Sequence, residues 1–182
     1  DDPEHFRELA ATVAGAPTRL FTRPGVFSWD HLDEASALLA DIMTPRDEAD
    51  VLDLGCGAGV LGVAVAHRAP AARLTLVDAD SEAVRCAART LAATGHPAWT
   101  VRASDVGRAI ADARFDLVVC NPPFHHGQAV DLTLPRRFLA EAHALLRPRG
   151  RLQLVANRTL PYEGELERLF GNRRTLHDGR RF

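Results

Sequence analysis

The chain contains no lysine: all 22 basic residues are arginine, set against 24 acidic residues for a formal charge of −2. An arginine-only basic set is a habit of GC-rich coding sequence, so arginine richness alone is not read as a sign of RNA binding. Cysteine is nearly as scarce. Cys56, Cys86 and Cys120 are odd in number, lie inside apolar or helical patterns and lack paired metal-ligand spacing. They read as small buried residues in a reducing compartment rather than a disulfide framework, and no metal is expected. Nowhere does an apolar run approach the roughly 18–20 residues of a membrane span, and the opening Asp1-Asp2-Pro3-Glu4 is the opposite of a basic signal peptide. The expectation is a cytoplasmic protein with no membrane partner.

What is present suits one domain: 182 residues, 46% of them hydrophobic. From residue 51 onward short apolar runs alternate with helical patterns, the signature of an α/β fold with a mostly parallel sheet covered on both faces. Strands are expected at Val51–Leu54, Leu74–Val77, Ala98–Val101, Phe115–Cys120 and Leu152–Ala156. Helices are expected at Val60–His67, Ser81–Ala93, Gly107–Ala111, Leu134–Leu146 and Tyr162–Phe170, with Pro148-Arg149-Gly150 as a stop before the fifth strand. Residues 1–45 read as a segment packed on a core of residues 46–182. Within it, Pro3–Ala14 looks helical, Leu20–Ser28 extended with a Pro24-Gly25 turn, and His31–Met43 an amphipathic helix. A strand-like Arg173–His177 and an Asp178-Gly179 turn signal precede the terminal Arg180-Arg181-Phe182. A further strand is expected beyond them. With no initiating methionine, the chain reads as a catalytic domain of a longer protein.

After the first strand come Gly55-Cys56-Gly57-Ala58-Gly59. A chain leaving a buried strand must turn sharply and bring backbone N–H groups close to a ligand, which takes residues without a Cβ. The helix that follows offers unpaired N–H groups and a partial positive charge. Taken literally, Gly57-x-Gly59-x-x-Gly62 also meets the dinucleotide fingerprint, which would make a nicotinamide-dependent oxidoreductase. Asp53 argues against that, because a carboxylate at the cofactor mouth repels a pyrophosphate and suits an ammonium group. S-adenosylmethionine carries an ammonium, a sulfonium and no phosphate. Asp53, Gly55, Cys56, Gly57 and Gly59 are therefore the expected cofactor loop, with Asp78 at the end of the second strand accepting the ribose hydroxyls. Asp80 reads as a helix cap, and Asp105 as either an acceptor for the adenine amino group or another cap.

The fourth strand runs into Asn121-Pro122-Pro123-Phe124. An exocyclic amine on a base is a poor nucleophile, because its lone pair is delocalised into the ring, so it must be oriented. The Asn121 side-chain carbonyl and the Pro122 backbone carbonyl can each accept one N–H and aim the lone pair at an electrophilic methyl. Consecutive prolines stiffen the loop, and Phe124 offers a face on which an extruded base can stack. The plainer alternative is a turn that returns Phe124 to the core. His125-His126 are placed to meet substrate or phosphate; neighbouring histidines diverge, so no metal site is expected.

Charge is unevenly spread. Residues 1–133 hold 11 arginines against 19 acids, and residues 134–182 hold 11 against 5. Arg136-Arg137, Arg147, Arg149, Arg151, Arg173-Arg174 and Arg180-Arg181 form either a phosphate-facing patch or a set of solvated turns.

On these motifs the chain resembles the class I S-adenosylmethionine-dependent methyltransferases. It is similar, more narrowly, to the ribosomal RNA guanine-N2 methyltransferases of the RsmC/RlmG type in Arg23–Ser28, Val51–Gly59, Asn121–His125 and Ala156–Tyr162. The resemblance implies a Rossmann-like, doubly wound, seven-stranded sheet whose last strand is antiparallel and truncated here. It implies that Gly25 and Phe27 cover the cofactor, that Pro123 and His125 meet the base, and that Asn157, Pro161 and Tyr162 wall its pocket. The partner implied is ribosomal RNA or a ribosomal subunit. Related motifs serve DNA adenine and protein glutamine, and a non-catalytic RNA-binding factor that keeps the fold is a further alternative. Members of this family commonly carry a second, degenerate domain, whereas only a short segment precedes the core here.

Overall fold

The computed structural model describes residues 5–123, 133–157 and 162–179. Its first element is a hairpin of β1 (Arg7–Val13) and β2 (Ala16–Thr22), paired antiparallel with Val13 opposite Ala16. Ala14 and Gly15 between them have φ of 51° and 79°, the positive pair that a two-residue turn needs to follow the twist of its strands. This overturns the helix expected over Pro3–Ala14. Leu9, Ala11 and Val13 turn inward at every second residue while Ala10 and Thr12 stay exposed. That two-residue period, closed by a tight turn, outweighs the helix preference of the alanines. The extended stretch expected over Leu20–Ser28 is also divided: the strand stops at Thr22, and Pro24-Gly25 form a turn in which Val26 N donates to Arg23 O at 3.1 Å. Helix α1 (Glu34–Ile42) begins only after Asp33, which caps it by accepting from Ser36 N, so it is shorter than the expected His31–Met43.

The central sheet contains β3 (Asp50–Leu54), β4 (Arg73–Asp78), β5 (Trp99–Ala103), β6 (Phe115–Cys120) and β7 (Leu146–Leu154). Between and after them come α2 (Val60–Arg68), α3 (Ser81–Thr94), α4 (Thr133–Leu145) and α5 (Tyr162–Phe170). The spatial order is β5-β4-β3-β6-β7, and every neighbouring pair is parallel. The α/β, doubly wound expectation therefore matches the structure, while the described residues place five strands in this sheet rather than seven. Arg173–His177 lie exposed and outside any strand, since extended backbone becomes a strand only beside a neighbour that takes up its N–H and C=O groups. Gly107–Ala111 reduces to a single 3-10 turn, Arg108–Ile110. Pro148-Arg149-Gly150 does not stop the chain ahead of β7. Leu146 faces Phe115 and Arg151 faces Leu117, so the segment bulges within the strand, with Arg149 at φ 67°.

Alternation along the strands divides the core in two. Val51, Leu74, Leu76, Leu117 and Val119 pack with α1, α2 and α3, whereas Leu52, Leu54, Val77 and Val118 pack with Phe138, Ala142 and Leu145 of α4. By the same alternation Asp53 falls on the α2 face. The hairpin lies against α3, where Phe21 N donates to Thr90 Oγ1 at 2.9 Å. All three cysteines are buried and free.

The order of the strands determines where a ligand can sit. The chain winds outward from β3 through β4 to β5, then returns to the other side of β3 to form β6, which opens a crevice beyond the carboxyl ends of β3 and β6. Helix α2 approaches the sheet closely at that end, where a Cβ on Gly62 would come within 2.6 Å of Leu76 Cδ2. Leu76 is fully buried and has nowhere to retreat. Gly62→Val should lower stability by about 3 kcal/mol, the upper end of overpacking costs, as read from the midpoint of a urea unfolding curve.

Candidate active site

A cavity of about 620 Å³ occupies this crevice, between the carboxyl ends of β3, β4 and β6 and the segment joining β2 to α1. Its floor is the glycine loop. Gly55 N and Cys56 N both donate to Val77 O, at 2.9 and 3.0 Å, which folds the loop back over β4. Gly55 adopts φ 77°, and a Cβ there would strike the Phe138 ring at 2.9 Å, so both conformation and space demand glycine. Gly57 N donates to Asp78 Oδ2 at 2.8 Å, and Asp80 N to Asp78 Oδ1 at 3.0 Å. The Asp78 carboxylate thus braces the loop and retains lone pairs for a ligand. Asp80 is the cap of α3, as expected.

Asp53 is 2% exposed. Its Oδ2 accepts from Gly62 N at 2.9 Å, while Oδ1 is buried without a hydrogen-bond partner. Burial, with the neighbouring Asp78 adding to it, pushes the Asp53 carboxyl up to about 7. A buried oxygen without a partner costs free energy that a donor reaching it from the cavity would recover. Burial likewise raises the thiols of Cys56 and Cys120 well above their usual range, so neither is a thiolate nucleophile.

Asn121, Pro122 and Pro123 line the same cavity at the end of β6. Asn121 Nδ2 donates to Asp33 Oδ2 at 3.0 Å and to Ser36 Oγ at 2.9 Å. Phe27 also lines it and is 66% exposed, whereas Gly25, at φ 98°, shapes the turn without lining the cavity. Val26 is buried in a cluster with Ala83 and Cys86, against which Ala58 of the loop packs, and this anchors the segment carrying Phe27. Asp105 stands at the rim, half-exposed and bound to Arg137 at 2.8 Å and Arg108 at 3.5 Å. The hydrogen bond from Arg137 holds its carboxyl below the usual range.

The remaining expectations divide. Asn157 lines the cavity. Tyr162 does not; it is buried in the first turn of α5, its phenol pushed up to about 12 by burial with Cys120 nearby. Phe124, His125 and Pro161 lie outside the described residues. Much of the basic carboxyl-terminal third is engaged internally: Arg137 with Glu141, Arg147 with Asp50 and Asp116, Arg168 with Glu165, Arg173 with Glu163. Arg136, Arg149 and Arg174 remain exposed, and Arg180 and Arg181 lie outside the described residues.

Sequence reasoning missed Asp33, Ser36, His31 and Phe138, which tertiary packing brings to the cavity. For Asp33 a signal existed, since an Asp ahead of a helical run marks a cap, but nothing in that pattern points to a residue on another strand. Among the described lining residues, Asp33, Asp53, Asp78 and Asp105 supply four carboxylates and there is no arginine. Asp105 is already paired with Arg137 and Arg108, so the preference of this wall for a cation over a phosphate rests on Asp33, Asp53 and Asp78.

The chain is similar to known proteins over most of its length. The chain is 42% identical over 161 residues to the ribosomal RNA small subunit methyltransferase C of Cronobacter sakazakii, and 43% identical to that of Escherichia coli. Each alignment covers 88% of this chain and 46% of the relative, so the chain spans somewhat less than half the length of these proteins. Its fold superposes on the T. thermophilus 16S rRNA N2 G1207 methyltransferase (RsmC), solved in complex with AdoMet and guanosine. That match has a TM-score of 0.84 at 38% identity and covers 93% of this chain and 47% of that one. The family model for the methyltransferase small domain matches residues 17–182. By that match, which takes in both the glycine loop and the Asn121 strand end, the chain belongs to the methyltransferase small domain family.

Proposed function

We propose that this chain is the catalytic unit of an S-adenosylmethionine-dependent methyltransferase acting on an exocyclic amino nitrogen, guanine N2 of ribosomal RNA. The observation that carries the proposal is the cavity itself: a carboxylate-walled glycine loop with a partnerless Asp53 oxygen opens into the same space as the anchored amide of Asn121. A nicotinamide cofactor would set its pyrophosphate among those carboxylates. The kinship with ribosomal RNA methyltransferases favours guanine over DNA adenine or protein glutamine. The hairpin and α1 are read as part of the same unit, since both contribute residues to the cavity.

Asp53 would receive the ammonium group of the cofactor, the amino-terminal end of α2 its carboxylate, and Asp78 its ribose, with Phe27 over the opening. Bound there, the cofactor supplies a methyl group made electrophilic by its sulfonium. Asn121 Oδ1 and the Pro122 carbonyl each accept one hydrogen of the substrate amine and hold its lone pair in line with that methyl. The lone pair forms the new C–N bond as the C–S pair departs with sulfur, and one N–H proton then passes to water. No strong base is needed, because the methylated ammonium is acidic. Cys56 and Cys120, held as thiols, stay out of the reaction. Arg136 and Arg174, exposed in the basic carboxyl-terminal third, are read as groups that meet RNA phosphates.

The first test is calorimetric titration with S-adenosylmethionine, followed by transfer of labelled methyl to unmodified small-subunit ribosomal RNA and identification of the nucleoside by mass spectrometry. N2-methylguanosine is the expected product; methylation of adenosine alone would overturn the assignment. Asn121→Ala should reduce turnover at least about a hundredfold, the scale of one oriented polar contact, with cofactor affinity nearly unchanged. Asp78→Ala should weaken cofactor binding about 10- to 100-fold, as expected of hydrogen bonds to a charged acceptor.

Asp53 makes both stability and binding depend on pH. Between about 4 and about 7 the folded, cofactor-free chain holds a proton that the unfolded chain has released. Stability from this group therefore falls as pH rises through that window and levels off above about 7. Asp53→Asn should flatten that slope in thermal melts. An ammonium ligand selects the charged carboxylate, so affinity should weaken below about pH 7, by up to roughly tenfold per unit. Calorimetry between pH 5.5 and 8 that showed no such trend would count against this contact.

A further inference from the structure

Asn121 serves as an acceptor only if its amide faces the right way. Turned over about χ2, the same side chain would present an NH2 group where the reaction needs an oxygen, with almost no change in shape. Strand β6 places the backbone but does not decide this. Two side chains from the segment ahead of the sheet do. Asn121 Nδ2 donates to Asp33 Oδ2 at 3.0 Å and to Ser36 Oγ at 2.9 Å, across 88 and 85 residues of chain. The Asp33 carboxylate can accept but has no hydrogen to give, so a flipped amide would set oxygen against oxygen. Both hydrogens of Asn121 are thereby committed, and Oδ1 is what it has left to offer the cavity it lines.

Asp33 is itself held in place. Its Oδ2 also accepts from Ser36 N at 2.8 Å, the bond that caps α1. Ser36 is buried, at 7% exposure, so its hydroxyl does not exchange this contact freely with water. Capping alone accounts for the bond from Ser36 N. It does not account for an aspartate and a serine of one helix turn converging on a single NH2 group of another element. The arrangement also has an electronic effect, because a carboxylate hydrogen-bonded to the amide N–H draws electron density toward Oδ1 and strengthens it as an acceptor. The substrate nitrogen gains positive charge as the methyl arrives, and meets that stronger acceptor.

We propose that Asp33 and Ser36 are positioning residues for methyl transfer, locking the Asn121 amide with its oxygen toward the acceptor nitrogen. The inference rests on the acceptor role proposed above, and the test separates the two. Asp33→Ser preserves a capping oxygen for α1 but is too short to reach Asn121. With S-adenosylmethionine and in vitro transcribed small-subunit ribosomal RNA, it should lower kcat about 10- to 100-fold. KM for RNA, cofactor affinity and melting temperature should hold. Asp33→Asn, whose carbonyl can still accept from both donors, should recover most of the rate, and Ser36→Ala should show a smaller loss of the same kind. Placed on Asn121→Ala, Asp33→Ser should cost nothing further, because the group it orients is gone. If Asn121→Ala is slow while Asp33→Ser turns over normally, or if the two losses multiply, the positioning role falls and the acceptor assignment stands. If Asn121→Ala itself turns over normally, the acceptor assignment falls and the positioning role with it.

Discussion

Helix α2 lies so close to the sheet that one added methyl group at Gly62 would come within 2.6 Å of Leu76. The rest of the site depends on that approach. It brings the Gly62 N–H within 2.9 Å of Asp53, which takes one carboxylate oxygen out of play and leaves the other buried and partnerless. Burial, in turn, raises the carboxyl to about 7 and makes it receptive to a cation. The glycine loop that joins β3 to α2 has no room for a side chain at Gly55, since Phe138 closes over it from the other face of the sheet. A close helix, a buried acid and a bare loop are thus one feature seen at three scales.

The opposite wall is built differently. β6 delivers Asn121 to the crevice by sheet topology alone, but the state of its amide is decided by α1, an element outside the parallel sheet. Asp33 serves there twice, satisfying the Ser36 N–H, one of the four N-terminal donors that a helix leaves open, and receiving the Asn121 amide. The segment before the sheet is therefore bound to the chemistry through its cap, as well as through packing of the hairpin on α3.

The parallel core was legible because short runs rich in Val and Leu, at β3, β4 and β6, alternate with longer helical patterns. Local composition and tertiary environment there point the same way. The first hairpin was not, because alanine-rich Arg7–Val13 fits either period until something packs on one face of it. β7 was read too short for a similar reason: Pro148-Arg149-Gly150 is a stop signal locally, but pairing with β6 absorbs it as a bulge. Among the cavity-lining residues, those placed by their own loop or strand end, such as Gly55, Asp53, Asp78 and Asn121, could be picked out along the chain. Tyr162 stands apart from the residues that line the cavity, because the start of α5 buries its ring with Cys120 nearby.

What the linear chain determined by itself is the fold class, the loop that can approach a ligand and the strand end that can hold an amine. Each follows from local chemistry: the period of apolar residues, the absence of a Cβ, the fixed φ of proline. Only the tertiary structure decided that Asp53 keeps a free oxygen, that the described residues of the cavity wall carry carboxylates without arginine, and that Asp33 and Ser36 hold Asn121. Those are properties of distance and burial between groups far apart in the chain, and the strength of a charge or a hydrogen bond is set by what surrounds it rather than by the residue that bears it.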